Sequence, residues 1–196
     1  MIAVELQGHG HTADSGRAMT IDALAGDVLG LLDHLGVAET DLFGFSLGGL
    51  VAYALALAAP SRVGKLIVAS ADAHRPPGRE SAPLDADRLP TAGDFQAMRD
   101  AYQAVAPDPA HFEELVARTR PMVQELPGWG DELGSLRMPV LLLFGDRDFS
   151  PLADVAELFA LLPTAQLAVL PGTTHVGLTR RVEEVLALTT TFLDAP

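Results

Sequence analysis

Residues 41–59, DLFGFSLGGLVAYALALAA, join a short apolar run to a Gly- and Ala-rich stretch that stops at Pro60. The run Asp41–Phe45 is typical of a buried strand, and the longer stretch after it is typical of a buried helix. Ser46 occupies the junction. The sequence therefore predicts a strand, a sharp turn carrying a serine, and a helix in immediate succession.

The turn itself matches the pattern G-x-S-x-G, with a predicted nucleophile elbow formed by Gly44, Phe45 and Gly48 around Ser46. The pattern is informative because a serine between a strand and a helix sits on a tight turn that directs its hydroxyl out of the sheet. The glycines give the helix and the neighbouring strands room to approach. The backbone N–H of Leu47 is then available to bind an oxyanion, so we expect Leu47 to contribute to an oxyanion hole.

Strand-like and helix-like stretches alternate on both sides of this turn. The strands are nearly all apolar, which favours a doubly wound, mostly parallel sheet covered on both faces, an α/β fold. Predicted helices lie at about residues 21–35, 47–59, 151–162 and 180–193. The predicted strands are Ile2–Leu6, Asp41–Phe45, Lys65–Ala69, Val140–Phe144 and Gln166–Leu170.

The segment Asp72–Arg137 interrupts the alternation. It opens with a polar, Pro-rich stretch, His74–Pro90, and continues with two helix-like pieces, Asp94–Val105 and Pro109–Val123. We interpret it as a helical insertion lying over the sheet. The predicted organisation is therefore a core of residues 1–71 and 138–196 with an insertion at 72–137.

A serine hydroxyl becomes a nucleophile only when a base accepts its proton. His175 is the favoured base, because it follows a predicted strand and such loops carry the site in a doubly wound sheet. His9 and His11, in the turn GHGHT, are rivals by position. The other histidines are interpreted as incidental to the site: His34, His74 and His111.

The base in turn needs a carboxylate that orients it and stabilises its protonated form. The predicted strand Val140–Phe144 is followed by Gly-Asp-Arg-Asp, which offers Asp146 and Asp148 at the carboxyl end of a strand. Asp148 is the preferred candidate and Asp146 the rival. The site residues follow in the order serine, aspartate, histidine.

Composition limits the classes of partner. The chain has 196 residues, no cysteine and a formal net charge of −13, which repels nucleic acid and anionic lipid. No metal-ligand spacing, phosphate-binding loop or dinucleotide fingerprint is present, so we expect no metal and no cofactor. The expected partner is a small-molecule substrate, and a homo-oligomer is compatible with the sequence. With no signal peptide and no membrane-length apolar run, a cytoplasmic location is predicted.

Four segments carry a resemblance to a known family: IAVELQGHGHT, DLFGFSLGGLVAYALALAAPSRVGKLIVAS, PVLLLFGDRDFSP and LAVLPGTTHVGL. Together they resemble the α/β-hydrolase superfamily, in its branch of serine esterases, enol-lactonases and haloperoxidase-like enzymes. The family pattern G-x-x-D implies Asp148 as the triad acid. Thr174 departs from the glycine that family members often carry before the late histidine. The resemblance also implies that 72–137 is a cap that shapes the substrate pocket.

The same resemblance implies a chain that is short at its N-terminus. Family members begin with further strands and a His-Gly segment that supplies the second oxyanion donor. Three explanations are considered in order of preference: a misplaced gene start, a short variant in which Ile2–Leu6 closes against Asp41–Phe45, and a second chain that completes the sheet.

The leading expectation for function is hydrolysis of a small uncharged ester, lactone or thioester through an acyl-enzyme. Two alternatives stay open: a non-catalytic or inactive binding module that lacks part of the oxyanion hole, and a C–C hydrolase or cofactor-free perhydrolase that uses the same triad. Substrate specificity is expected to depend on the insertion, whose candidate pocket walls are Phe95, Met98, Tyr102, Phe112, Met122 and Trp129.

Overall fold

The computed structural model describes residues 1–74, 86–124 and 128–196. Its strands are β1 (Thr40–Phe45), β2 (Val63–Ala69), β3 (Val140–Arg147) and β4 (Ala165–Thr174). Its α-helices are α1 (Ile21–His34), α2 (Leu47–Ala58), α3 (Ala92–Val105), α4 (Phe112–Gln124), α5 (Leu152–Leu161), α6 (His175–Leu178) and α7 (Val182–Asp194). The predicted helices, and every predicted strand except the first, are confirmed.

The four strands form one parallel sheet in the order β1-β2-β3-β4. Successive side chains of β2 point to opposite faces. Ile67 and Ala69 belong to an apolar cluster that also contains Leu178 and Phe192, from α6 and α7. Val68 lies on the α2 face, because a Cβ added at Gly49 would come within 3.0 Å of its side chain. The sheet is therefore covered on both faces, which explains its almost wholly apolar strands.

The prediction of a strand at Ile2–Leu6 is wrong. These residues carry no strand assignment, and Ile2 and Val4 are 54% and 41% exposed. The Glu5 side chain instead stabilises the following turn, because its carboxylate accepts hydrogen bonds from the backbone N–H and the ring of His11. A short apolar run becomes a strand only where a partner strand pairs with it, and within the described ranges none does so.

The chain divides into two compact units. The first contains Met1–Gly36 and Pro90–Leu126, and the second contains Val37–Leu89 and Pro127–Pro196 with the whole sheet. The sequence-based division, a core of 1–71 and 138–196 with a cap at 72–137, draws its boundaries elsewhere and stays a prediction. Of that segment, 75–85 and 125–127 lie outside the described residues.

No helix among the residues described is long and apolar enough to cross a membrane.

Asp14 ties the two segments of the first unit together. Its carboxylate accepts hydrogen bonds from Gln7 Nε2 at 2.8 Å, from His111 Nε2 at 3.1 Å and from the Arg118 guanidinium. Burial raises the pKa of Asp14, but these bonds, together with one from the Gly16 N–H, outweigh burial and hold the pKa far below the ordinary range. The carboxylate therefore stays charged in the folded unit at neutral pH.

Replacing Asp14 by asparagine is expected to lower the free energy of unfolding at pH 7 by about 1.5–3 kcal/mol, the range for a hydrogen bond to a charged group. A carboxyl group with a depressed folded pKa stabilises above its unfolded pKa and loses that contribution as the pH falls through the folded pKa. The difference between parent and Asp14→Asn in urea unfolding should therefore be largest near neutral pH and shrink toward pH ~2. A difference that grows on acidification would contradict this account.

Candidate active site

Ser46 lies at the carboxyl end of β1 and immediately before the first residue of α2. Its backbone has φ 51° and ψ −116°, a conformation that a residue with a Cβ rarely adopts. The Ser46 N–H donates to the Ala69 carbonyl at 2.8 Å, which fixes the strained turn to the end of β2. Such strain typically costs about 1–3 kcal/mol and persists only where the surrounding structure imposes it.

Two glycines make this turn possible. A Cβ at Gly44 would lie 2.2 Å from the Gly48 carbonyl oxygen, and a Cβ at Gly49 would lie 2.6 Å from Ala71 Cβ. A Cβ at Gly48 would meet nothing within 4 Å. The close approach of helix and sheet therefore depends on Gly44, as the pattern suggested, and on Gly49, which lies just outside the five-residue pattern.

His175 is the first residue of α6 and directly follows β4. Its Nδ1 lies 2.8 Å from Asp148 Oδ1 and its Nε2 lies 2.9 Å from Ser46 Oγ. An ionised carboxylate can only accept, so Nδ1 carries the proton and Nε2 is left to accept from the serine hydroxyl. Thr174 caps α6 through its Oγ1, which accepts from the Gly177 N–H at 3.1 Å, and this gives a local reason for a threonine before the histidine.

Asp148 is 1% exposed and follows the end of β3. Its Oδ1 accepts from His175 and, at 2.6 Å, from the Phe149 N–H, while its Oδ2 accepts from the Ser70 hydroxyl. Burial alone raises the pKa of Asp148, but the His175, Ser70 and Phe149 contacts outweigh burial and hold the pKa below its ordinary value. The geometry therefore provides a charged acceptor for His175 in a nearly dry position.

The rival carboxylate, Asp146, binds the backbone of β4 and not the histidine ring. Its Oδ1 accepts from the Thr173 N–H at 3.1 Å, in the chain just before His175. Hydrogen bonds from the backbone of Gly172 and Thr173 lower the pKa of Asp146. The structure thus brings Asp148, and not Asp146, into contact with the histidine ring.

Two phenylalanine rings flank the imidazole of His175. The Phe149 ring stacks on it with centroids 4.2 Å apart and planes 14° apart, and the Phe45 ring lies 5.0 Å away at 40°. Phe149 and Ser70 were not singled out from the sequence. The available signals were positional: Phe149 directly follows the predicted acid, and Ser70 directly follows a predicted strand.

The rival histidines of the GHGHT turn have local contacts within the first unit. His9 Nδ1 lies 2.9 Å from the Gln7 carbonyl oxygen, and His11 Nδ1 lies 2.9 Å from Glu5. His111 contacts Asp14, and His34 is exposed on α1. In the described ranges, no group of three or more histidine, aspartate or glutamate side chains is arranged to hold a metal ion.

Leu47, the predicted oxyanion donor, is the first residue of α2. The first N–H groups of a helix have no partner within the helix, so the Leu47 N–H can donate to a group bound beside Ser46.

Among the predicted pocket walls, Tyr102 and Phe112 pack on each other with ring centroids 5.5 Å apart, and the ring centroid of Trp129 lies 6.3 Å from that of Tyr53. Their contribution to a pocket stays a prediction.

Comparison with known families gives a match over residues 1–188 to the model of the alpha/beta hydrolase family. This chain is a member of that family. Its sheet, its helices on both faces and its sharp turn at Ser46 agree with the resemblance seen in the sequence.

Individual relatives of this α/β hydrolase are distant. A 2-hydroxy-6-oxononadienedioate/2-hydroxy-6-oxononatrienedioate hydrolase of Dechloromonas aromatica is 29% identical over 71% of the chain, and the chain spans 57% of that relative. A 3-oxoadipate enol-lactonase of Acinetobacter baylyi is 37% identical over a stretch that covers 36% of this chain and 26% of the lactonase.

A solved structure supports the fold. A variant of CumD, a meta-cleavage product hydrolase of Pseudomonas fluorescens IP01, superposes with a TM-score of 0.76 at 20% identity. The match covers 96% of this chain and 78% of CumD. At that identity the likeness speaks for the fold alone.

Proposed function

We propose that this α/β hydrolase is a serine hydrolase that cleaves a small uncharged ester, lactone or thioester through an acyl-enzyme. The observation that carries the proposal is the continuous chain of contacts from Ser46 Oγ to His175 Nε2, at 2.9 Å, and from His175 Nδ1 to Asp148 Oδ1, at 2.8 Å. These distances lie within hydrogen-bond reach, which a nucleophile and its base require.

In the proposed reaction, Ser46 Oγ attacks the carbonyl carbon while His175 Nε2 takes the hydroxyl proton. Asp148 stabilises the imidazolium that forms, and the Leu47 N–H donates to the oxyanion. His175 then gives its proton to the leaving oxygen or sulfur, and the bond to the leaving group breaks. Water, deprotonated by His175, attacks the acyl-enzyme in the second half-reaction and releases the acid and free Ser46.

The preference for an uncharged substrate rests on charge and on the rings beside the base. The chain carries a formal net charge of −13, and a field of that sign lowers the local concentration of anions. The Phe149 and Phe45 rings that flank His175 present apolar surface rather than charge. Distant similarity to an enol-lactonase agrees with a lactone or ester as the substrate.

The test is covalent labelling with a fluorophosphonate, read by intact mass and by peptide mapping. We expect one adduct, on Ser46, because the His175 contact makes that hydroxyl nucleophilic. Ser135→Ala is the matched control, since Ser135 is an exposed serine of the same unit, and it should label like the parent. Labelling should disappear in Ser46→Ala.

A folded parent protein that acquires no adduct would reject the proposal. If that protein still bound ester-like ligands, and bound them equally well as Ser46→Ala, the non-catalytic binding module would be the better description. An adduct on a serine other than Ser46 would reject the assignment of the nucleophile.

A second candidate is hydrolysis of a C–C bond, with the same three residues. It is favoured by the Dechloromonas relative, whose name describes a hydrolase of a 2-hydroxy-6-oxo dienedioate, a dicarboxylate. Perhydrolysis, in which hydrogen peroxide takes the place of water in the second half-reaction, is a third use of the same acyl-enzyme. The triad cannot separate these reactions, because nucleophile and fold do not determine the substrate.

Parallel assays separate the candidates. The leading proposal expects p-nitrophenyl acetate or a simple lactone to give a kcat/KM at least about tenfold above that for a 2-hydroxy-6-oxo dienedioate, because the acidic protein repels the dianion. Raising the salt concentration should narrow the gap by screening. The opposite order of kcat/KM would make C–C hydrolysis the function, and peracid formation from acetate and peroxide would identify the perhydrolase.

A further inference from the structure

Ser70 is a buried serine in an unfavourable backbone conformation at the carboxyl end of β2. It is 5% exposed and has φ 53°, in the left-handed region that favours glycine. Its N–H donates to the Leu143 carbonyl at 2.8 Å, so the strained residue continues the pairing of β2 with β3. Nothing in that backbone bond requires a side chain, and a glycine would adopt the same conformation with less strain.

The side chain has a partner that a glycine would not supply. The Ser70 hydroxyl donates to Asp148 Oδ2, whereas Asp148 Oδ1 accepts hydrogen bonds from His175 Nδ1 and from the Phe149 N–H. Asp148 is 1% exposed, so water has little access to its second oxygen. A buried carboxylate oxygen without a donor is costly, and the carboxyl group would be less firmly held in its rotamer.

We propose that Ser70 is a positioning residue of the active site, whose hydroxyl holds the Asp148 carboxylate in the orientation that presents Oδ1 to His175. The inference rests on the proposed serine hydrolase function and assigns a residue that acts through Asp148 rather than on substrate. The strained backbone at Ser70 is retained because a serine there, unlike a glycine, can donate to the acid.

The charged and polar groups around Asp148 come from several elements. The His175 ring faces it from the start of α6, the Phe149 N–H from its own loop and the Ser70 hydroxyl from the end of β2. The Arg88 guanidinium donates to the Asp148 carbonyl oxygen at 3.1 Å rather than to the carboxylate. Removing the Ser70 hydroxyl leaves the other groups in place, which makes its effect separable.

Two substitutions separate positioning from a purely structural role. Ser70→Gly and Ser70→Ala both remove the hydroxyl, but only glycine relieves the left-handed backbone. We expect kcat for p-nitrophenyl acetate to fall about tenfold to hundredfold in both variants, the range for a lost hydrogen bond to a charged group. KM should stay unchanged, and the Tm of Ser70→Gly should exceed that of Ser70→Ala.

The pH profile is the second readout. A carboxylate that loses a hydrogen-bond donor holds a proton more tightly, so the proton shared by the His175 and Asp148 pair should be lost at higher pH. The acidic limb of the kcat/KM profile should therefore move upward by about half a unit to one unit in both variants. Ser70→Gly with parental kcat and an unshifted limb would overturn the proposal and leave Ser70 a structural residue.

The proposal can fail separately from the proposed function. If the parent neither labels with fluorophosphonate nor turns over esters, the hydrolase function fails, and the role of Ser70 is read by proton NMR. The low-field signal of the His175 Nδ1 proton, assigned by its loss in His175→Gln, should exchange with solvent faster in both Ser70 variants. Unchanged exchange in Ser70→Gly would overturn the positioning role.

Discussion

Ser46→Ala is expected, on the proposed function, to lower kcat by about a million-fold, the loss typical when the nucleophile of a serine–histidine–aspartate triad is removed. The reason is structural, because Ser46 Oγ is the atom that contacts His175 Nε2 and stands at the start of α2, beside the Leu47 N–H. Without the Ser46 hydroxyl, His175 can activate only a water molecule, and the turn at Ser46 does not hold that water in place for attack. Single-turnover and steady-state assays with p-nitrophenyl acetate measure the effect.

Stability should hardly change in Ser46→Ala. Alanine and serine are equally strained at φ 51°, and the substitution removes a single hydrogen bond, to His175 Nε2, of a kind that typically contributes about 0.5–1.5 kcal/mol. We expect a Tm within a few degrees of the parent. Retention of more than about 1% of kcat, well above the residual rate typical of such variants, would mean that Ser46 is not the nucleophile.

Asp148→Asn is expected to lower kcat by about a thousandfold, because a unit charge about 4 Å from the imidazolium contributes ~4 kcal/mol at an effective dielectric constant of about 20. The Phe149 N–H donates to the same oxygen that faces His175, which favours an asparagine with its carbonyl oxygen in that place and its amide group toward Ser70. The hydroxyl of Ser70 can rotate to accept from that amide. The histidine tautomer is then preserved, and the loss in rate comes from the missing negative charge beside the imidazolium.

Asp146→Asn is the matched control, two residues before Asp148 and near the carboxyl end of β3. Its carboxylate accepts a hydrogen bond from the Thr173 N–H, so the substitution alters a contact with the end of β4 and not with the ring of His175. We expect kcat within a few-fold of the parent and a modest loss of stability, about 1 kcal/mol or less. A larger kinetic effect at Asp146 than at Asp148 would reverse the assignment of the acid.

The sequence predicted the elements of the second unit well because each one carries its own local signal. The β-branched and leucine-rich runs that became β2 and β3 lie between turn residues, and the stretch after Ser46 is rich in helix formers up to Pro60. The first predicted strand failed for the opposite reason. Ile2–Leu6 has the composition of a strand, but a strand also needs a neighbour, and neighbours are a property of the folded chain.

The sequence by itself determined the residue types and their order: a serine on a strand–helix turn, a carboxylate after a later strand and a histidine after the last. Parallel strands bring their carboxyl ends to one edge, so these residues were expected to meet. The sequence, with the family pattern G-x-x-D, already favoured Asp148 over Asp146, and the structure places Asp148 in contact with His175. Only the tertiary structure decided that Asp146 instead accepts from the Thr173 N–H and that the Phe149 ring stacks on His175. The same holds for Ser70, whose hydroxyl donates to the second oxygen of the acid. Hydrogen bonds and ring contacts require agreement within about half an ångström. Such agreement comes from how β1, β2, β3 and β4 pair, because the pairing brings together Ser46 and His175, which are separated by 129 positions in the sequence.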